Sequence, residues 1–309
     1  MSQIQNNNNN LCGKKIIVEL LVNILSFLQC EYVSICRSVC KIWLDYLKSN
    51  LSRKILNLPP KNIFHIKSFN MNFKPINMNR VKNYLYIGDW TNLCEIKIKN
   101  FEIEQITDKK YYNSVTCSND NYICIKAPLG EIFVFSSDMT LLEILPIRYI
   151  QGLEIDNNDN ILVSTYNKFY IYNPKGKMLN SWDLVDNSND KNKSYRNIGF
   201  NRNEIFMIDT FLNQIFVFSY EGKLIRFWGS FGYEFGKFVN PTEISIYRNI
   251  VFIIDTKSNK IQAFTSEGKF IFAYEFQKDI KLKNIIIVDG YVYVNDLKNN
   301  AILKYEIIY

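Results

Sequence analysis

The feature that most restricts the fold is a repeat. Phe227–Tyr274 reads FWGSFGYEFGKFVNPTEISIYRNIVFIIDTKSNKIQAFTSEGKFIFAY. Two alternating apolar runs, PTEISIYRNIVFIID and NKIQAFTSEGKFIFAY, are separated by a polar turn. Apolar residues at period two mark strands, and Ser266-Glu267-Gly268-Lys269 supplies a tight hairpin turn. The stretch reads as a four-stranded antiparallel sheet. One such sheet cannot bury both faces alone, so relatives are expected elsewhere in the chain.

They recur at a spacing of about 40 residues. The second strand of each unit is expected to end at Asp89, Ala127, Thr165, Asp209, Asp255 and Asp296. Hairpin turns are expected downstream at Asn100, Asp138, Gly176, Gly222 and Gly268. Pro75 and Pro241 stand at the same distance ahead of Asp89 and Asp255. Six units of this size match the blades of a propeller, placed at residues 51–309. The last unit, Lys281–Tyr309, stops after its third strand, and an unpaired edge would remain. The alternating segment Asn62–Lys67 is therefore expected to pair with Ala301–Ile307 and close the ring.

The Gly229-Ser230-x-Gly232 lead, the Phe238-x-x-Pro241 entry, Asp255-Thr256 and Asn259-Lys260-Ile261-Gln262-Ala263-Phe264 resemble an NHL repeat. What this resemblance implies is a mainly β fold, a six-bladed NHL-like β-propeller. Abundant aromatics, 22 Phe and 20 Tyr, suit a β-rich protein.

Residues 12–50 differ in kind. Ile16–Leu28 carries only Glu19, Asn23 and Ser26 as polar residues, and these form one narrow stripe on a helix. Val33, Cys36, Val39, Cys40 and Trp43 recur at helical spacing. So short a segment does not enclose a core, and a partner or the rest of the chain must cover it. Glu19-Leu20-Leu21, Ile24-Leu25-Ser26-Phe27-Leu28 and Val39-Cys40-Lys41-Ile42-Trp43 resemble an F-box at family spacing. Ile16-Ile17 and Gln29 stand where the family has Leu-Pro and Pro, which alters the helix boundaries and not the apolar face.

The two resemblances together imply a substrate-recognition subunit of an SCF-type cullin–RING ubiquitin ligase. Leu20, Leu21, Ile24, Leu25, Leu28, Val39 and Trp43 would dock on a Skp-type linker subunit, itself joined to a cullin scaffold. The propeller would hold the target protein. The chain lacks zinc-ligand cysteine pairs, so a RING of its own is not expected. A plain helical cap on the propeller is the structural alternative for residues 16–47.

Net charge is +7 and is spread along the chain, which permits nucleic-acid binding without favouring it. Seven cysteines, with no Cys-x-x-Cys pair, indicate a reduced protein of the cytoplasm or nucleus. Ile16–Leu28 falls short of the roughly 20 residues that cross a bilayer, and no small-residue cleavage site follows it. No membrane partner is expected. Met1–Leu11, with its Asn run, reads as a disordered tail.

Candidate chemistry is sparse. Asp209, Asp255 and Asp296 at strand ends are expected to bond turn amides. The only histidine, His65, lies on the expected closure strand without a nameable catalytic partner. Asp and Asn are plentiful, but no spacing singles out a calcium site at the pore. No catalytic residue, metal or cofactor is expected.

Function is expected on the loops between blades and after second strands, which share one face in propellers. Trp90, Tyr111, Tyr112, Arg148, Tyr149, Tyr195, Arg196, Tyr233, Phe235, Lys237 and Lys257 are placed there. Aromatics mixed with cations suit a protein hot spot. They also suit single-stranded RNA, the alternative reading, which needs stacking and phosphate contacts.

Overall fold

A computed structural model describes the chain from residue 60 to residue 308, apart from residues 61, 72–73, 82–83, 89–92, 98–102, 107–114, 118–120, 127–129, 138–139, 185–194 and 278. The chain divides into two compact units, Met1–Asn62 with Ile307–Tyr309, and Ile63–Glu306. All described residues are strand, turn or irregular, with no helix among them. The proposed F-box helices lie outside the described residues.

The larger unit is a β-propeller. The first strand among the described residues is β1 (Asn62–Asn70). Five sheets then take four consecutive strands each. They are β2 to β5 (Asn77–Val81, Tyr84–Gly88, Leu93–Lys97, Ile103–Ile106) and β6 to β9 (Val115–Cys117, Tyr122–Lys126, Ile132–Ser136, Leu141–Leu145). Next come β10 to β13 (Gly152–Ile155, Ile161–Ser164, Lys168–Tyr172, Met178–Asp183) and β14 to β17 (Tyr195–Asn201, Glu204–Asp209, Gln214–Ser219, Leu224–Trp228). The last continuous sheet is β18 to β21 (Pro241–Tyr247, Ile250–Asp255, Lys260–Thr265, Phe270–Glu275).

A further sheet is composite, formed by β22 (Leu282–Val288), β23 (Tyr291–Asp296), β24 (Ala301–Ile308) and then β1 on its outer edge. The first strands neighbour one another in order, β2, β6, β10, β14, β18, β22 and back to β2. They form the inner wall of a ring. His65 lies exposed on β1, its ring edge-on to Tyr305 at 5.1 Å.

Alternation within the strands explains the packing. The second and third strands, such as IVFIID and KIQAFT, are buried on both sides because each lies between two neighbouring sheets. The cores therefore sit between blades. Phe206, Ile208, Ile215 and Val217 of one sheet meet Ile244, Val251, Ile253 and Phe264 of the next, with Phe238 of the loop between them. Met78, Leu85 and Ile87 meet Val288, Tyr293 and Ile302 in the same way.

The expected turn glycines are left-handed, Gly176 at φ 77°, Gly222 at 87° and Gly268 at 89°. Space matters as well as φ. A Cβ on Gly222 would lie 2.5 Å from the Trp182 ring, and one on Gly268 would lie 2.6 Å from Trp228. While the Gly176 hairpin faces Glu143, the Gly222 and Gly268 hairpins thus pack on a tryptophan of the blade before each, which only glycine permits. Arg226 fastens the same junction. It donates to both oxygens of Glu204 at 2.7 and 2.6 Å, and to the Ser266 carbonyl at 2.7 Å.

Candidate functional site

Antiparallel order sends the inter-blade loops and the loops between second and third strands to one face. Strand-end carboxylates organise that face. Asp255 accepts the Val239 and Asn240 amides at 2.7 and 2.8 Å. Asp296 accepts those of Lys281 and Lys298 at 3.0 and 2.9 Å. Asp209 accepts those of Phe211 and Leu212, both at 2.9 Å. All three side chains are buried. They hold backbone, as a repeated strand-end aspartate should.

The loop 229–240 shows how far this goes. Gln262, buried in β20, receives the Gly236 amide at 2.8 Å and donates to the Lys237 carbonyl at 2.6 Å. Lys260 donates to the Tyr233 carbonyl at 2.7 Å while pairing with Glu275 at 2.8 Å. Phe238 is fully buried and anchors the loop from below. Against this firm backbone, Phe231, Tyr233 and Phe235 are 64%, 66% and 57% exposed. Phe211, on the loop after β15, is also exposed. A loop fixed by buried polar groups thus presents large rings to solvent, which single soluble domains rarely do without a use.

Between the sheets β6–β9 and β10–β13 lies a cleft of about 610 Å³. Tyr149, Tyr166, Tyr170, Tyr172 and Arg148 line it together with Asn167. Tyr149 is 71% exposed and Tyr166 54%, with ring centroids 6.3 Å apart. The backbone of Tyr149 is left-handed at φ 62°. A bulky residue pays steric strain there, and such strain concentrates at functional positions.

A channel of about 840 Å³ runs inside the ring of first strands. Three successive inner strands carry a bulge near the same end: at Arg196/Ile198 in β14, Pro241/Glu243 in β18 and Leu282/Ile285 in β22. Bulges re-aim side chains. Here they bring Asn197, Glu243, Lys283 and Asn284 together. The Asn197 and Asn284 amides donate to Glu243 Oε2, the second at 3.5 Å, and Lys283 Nζ stands 3.6 Å from Oε1.

Burial pushes the Glu243 carboxyl up to about 7, opposed by Lys283 and the two amides. Glu154, on the channel wall, is likewise pushed up to about 7 by burial, against the pull of the Ile155 amide. These carboxyls are able to exchange protons near neutrality. Among the described residues, no group of three His, Cys, Asp or Glu side chains is placed to hold a metal ion.

Of the expected face residues, Arg148, Tyr149, Tyr233, Phe235, Lys237 and Lys257 are exposed on loops of this face. Arg196 is exposed, but it lies within β14 beside the bulge. Tyr195 is corrected: it begins β14 and is 2% exposed. Paired opposite Asp209, it turns inward and meets Phe216 and Phe218 edge-on at 5.4 and 5.9 Å. Trp90, Tyr111 and Tyr112 lie outside the described residues, as do Leu20, Leu21, Ile24, Leu25, Leu28, Val39 and Trp43.

Tyr166, Phe211 and Phe231 were absent from the expected face although they are exposed aromatics of its loops. Their neighbours Thr165, Asp209 and Gly229, all punctuation marks of the repeat, were the available signal. The channel group had no comparable signal.

No family model matches this sequence, and no curated protein matches it. Solved structures do resemble the fold. A streptogramin B lyase superposes with a TM-score of 0.56 at 14% identity, covering 81% of this chain and 90% of that one. Selenomethionine-substituted virginiamycin B lyase from Staphylococcus aureus gives 0.58 at 13% identity, covering 80% and 99%. The WD40 β-propeller domain of Doa1 gives 0.58 at 8% identity, covering 80% and 97%. At such identities the likeness shows the fold alone: this chain is built as a β-propeller.

Proposed function

We propose that the chain is a recognition subunit whose propeller binds a partner protein and whose residues 12–50 join it to a ubiquitin ligase through a Skp-type linker. The observation that carries the binding half is the exposed aromatic group Phe231, Tyr233 and Phe235 on a loop held by Gln262, Lys260 and Asp255. A loop already ordered loses little entropy on binding, so its rings contribute more of their burial to affinity. The ligase half rests on the F-box resemblance of residues 19–43. Counting the composite sheet as a blade makes the propeller six-bladed, the number the repeat implies.

In this reading the chain performs no chemistry. It works in the cytoplasm or nucleus and raises the local concentration of target lysines near the ubiquitin-carrying enzyme. The test is affinity purification of the full chain from cells, followed by mass spectrometry. Phe231→Ser/Tyr233→Ser/Phe235→Ser should lose the target and keep linker and cullin. Leu20→Ala/Leu25→Ala/Trp43→Ala should do the reverse. Equal recovery of linker by the wild type and the second variant would rule out the F-box surface. Equal recovery of every partner by the first variant would rule out the aromatic loop.

A further inference from the structure

The cleft beside Tyr149 is separate from the Phe231 loop, and its chemistry is more restrictive. From the juxtaposition of four tyrosines with Arg148, we infer that it binds an acidic peptide segment of the partner, seating an aromatic or aliphatic anchor against the tyrosine rings with a carboxylate on Arg148. This deepens the protein-binding reading and rests on it.

Size, shape and charge all bear on the occupant. A volume of about 610 Å³ lies within the roughly 300–1,000 Å³ of pockets that enclose a small ligand, enough for a few side chains and too little for a folded surface. Tyr149 and Tyr166 pack on each other at 6.3 Å and tilted by 46°, and their exposed ring surfaces form the outer wall of the cleft. Tyr170 and Tyr172 form the deeper wall, partly buried against Ile147, Ile150 and Leu153. Tyrosines offer broad apolar contact at small entropic cost and keep a hydroxyl for the peptide backbone.

Among the described residues lining the cleft Arg148 is the only charged one, and none of them is a carboxylate. Its guanidinium is exposed and has no ion-pair partner among the described residues. It is therefore free to take a carboxylate in a two-pronged bond. The same count disfavours RNA. Nucleic-acid affinity comes from neutralising several phosphates along a track, and one lining cation does not make a track.

The experiment uses the full chain and fluorescence anisotropy with a short labelled peptide, a central phenylalanine flanked by glutamates. The same peptide with lysines for glutamates and an oligouridylate RNA serve as competing probes. The acidic peptide should bind, weaken with added salt, and lose about tenfold or more in affinity with Arg148→Glu and with Tyr166→Ala. Lys175→Glu makes the same charge change on the hairpin between β12 and β13, away from this face, and should leave binding unchanged.

Thermal melts of each variant keep a loss of fold from passing as a loss of binding. Equal affinity for the acidic and basic peptides would overturn the inference. So would full binding by a folded Arg148→Glu chain, or tighter binding of the RNA. If Arg148→Glu still captures a partner from cells and Phe231→Ser/Tyr233→Ser/Phe235→Ser does not, the protein-binding reading stands and the cleft falls.

Discussion

Two loops of the same face, one entering β18 and one entering β10, present aromatics in opposite ways. Before β18, the Asp255 carboxylate reaches back across the strand end and takes two amides of the entry loop. The loop is drawn onto the blade, and its rings stand on a firm platform. Before β10, the equivalent strand-end residue is Thr165. Its hydroxyl donates to the Lys168 carbonyl at 2.9 Å and accepts the Lys168 amide at 3.1 Å, so among the described residues it serves only its own turn. The entry loop there arches through a left-handed Tyr149, and the cleft opens beneath it. One side chain, carboxylate or hydroxyl, distinguishes a platform from a pocket.

Four substitutions break or sharpen that contrast. The largest effect is expected from Asp255→Ala. It leaves two loop amides without an acceptor in a buried place, at a cost of about 2–4 kcal/mol in urea unfolding. The Phe231 platform should loosen with it, seen as faster hydrogen exchange at Val239 and Asn240.

Next comes Glu243→Gln, which leaves both loops alone and tests whether the channel responds separately. The folded chain holds the Glu243 proton up to about pH 7, against an ordinary value of 4.5. Between those limits the folded state binds more protons than the unfolded one, so this carboxyl's contribution is full below pH 4.5 and is lost as pH rises through 7. The variant should match the wild type at pH 5 and exceed it by about 2–3 kcal/mol at pH 8. Glu154 slopes the same way, so some pH dependence should remain.

A smaller effect is expected from Thr165→Asp, which converts the pocket's anchor into the platform's. The new carboxylate should draw in the Ile150 amide, and affinity for the acidic peptide should fall about tenfold. Unchanged affinity would mean that the strand-end residue does not set the loop. Smallest is Tyr149→Asn, which puts a residue tolerant of positive φ at a strained position. Stability should rise by about 1 kcal/mol while peptide affinity falls. A fall in both would show that the tyrosine ring, and not its backbone, supports the local fold.

Much of the propeller is readable in the sequence. Strands ending at Asp209, Asp255 and Asp296 follow from alternation broken by a turn, and both signals are local. The pairing order that sets Asn62–Asn70 beside Ala301–Ile308 follows from an arithmetic of strands, three in the last unit where four are needed. The first half of the repeat was harder to read because Ala127 and Thr165 replace the aspartate mark. The loop face was legible as loops but not residue by residue. Tyr195 lies one position inside a strand boundary, and that position decides between solvent and core.

What the sequence determined by itself is therefore the periodic part: antiparallel four-stranded units, their turn glycines and the carboxylates that bind turn amides. These depend on neighbours within one unit, as Asp255 does on Val239 and Asn240. Only the tertiary structure decided the meeting of Asn197, Glu243 and Asn284 in the channel and the opening of the Tyr149 cleft. The channel group comes from separate blades, brought together by bulges that a period-two pattern does not encode. The cleft is lined by the loop entering β10 together with side chains of β12 and the turn before it, segments that come side by side only when the blades are assembled.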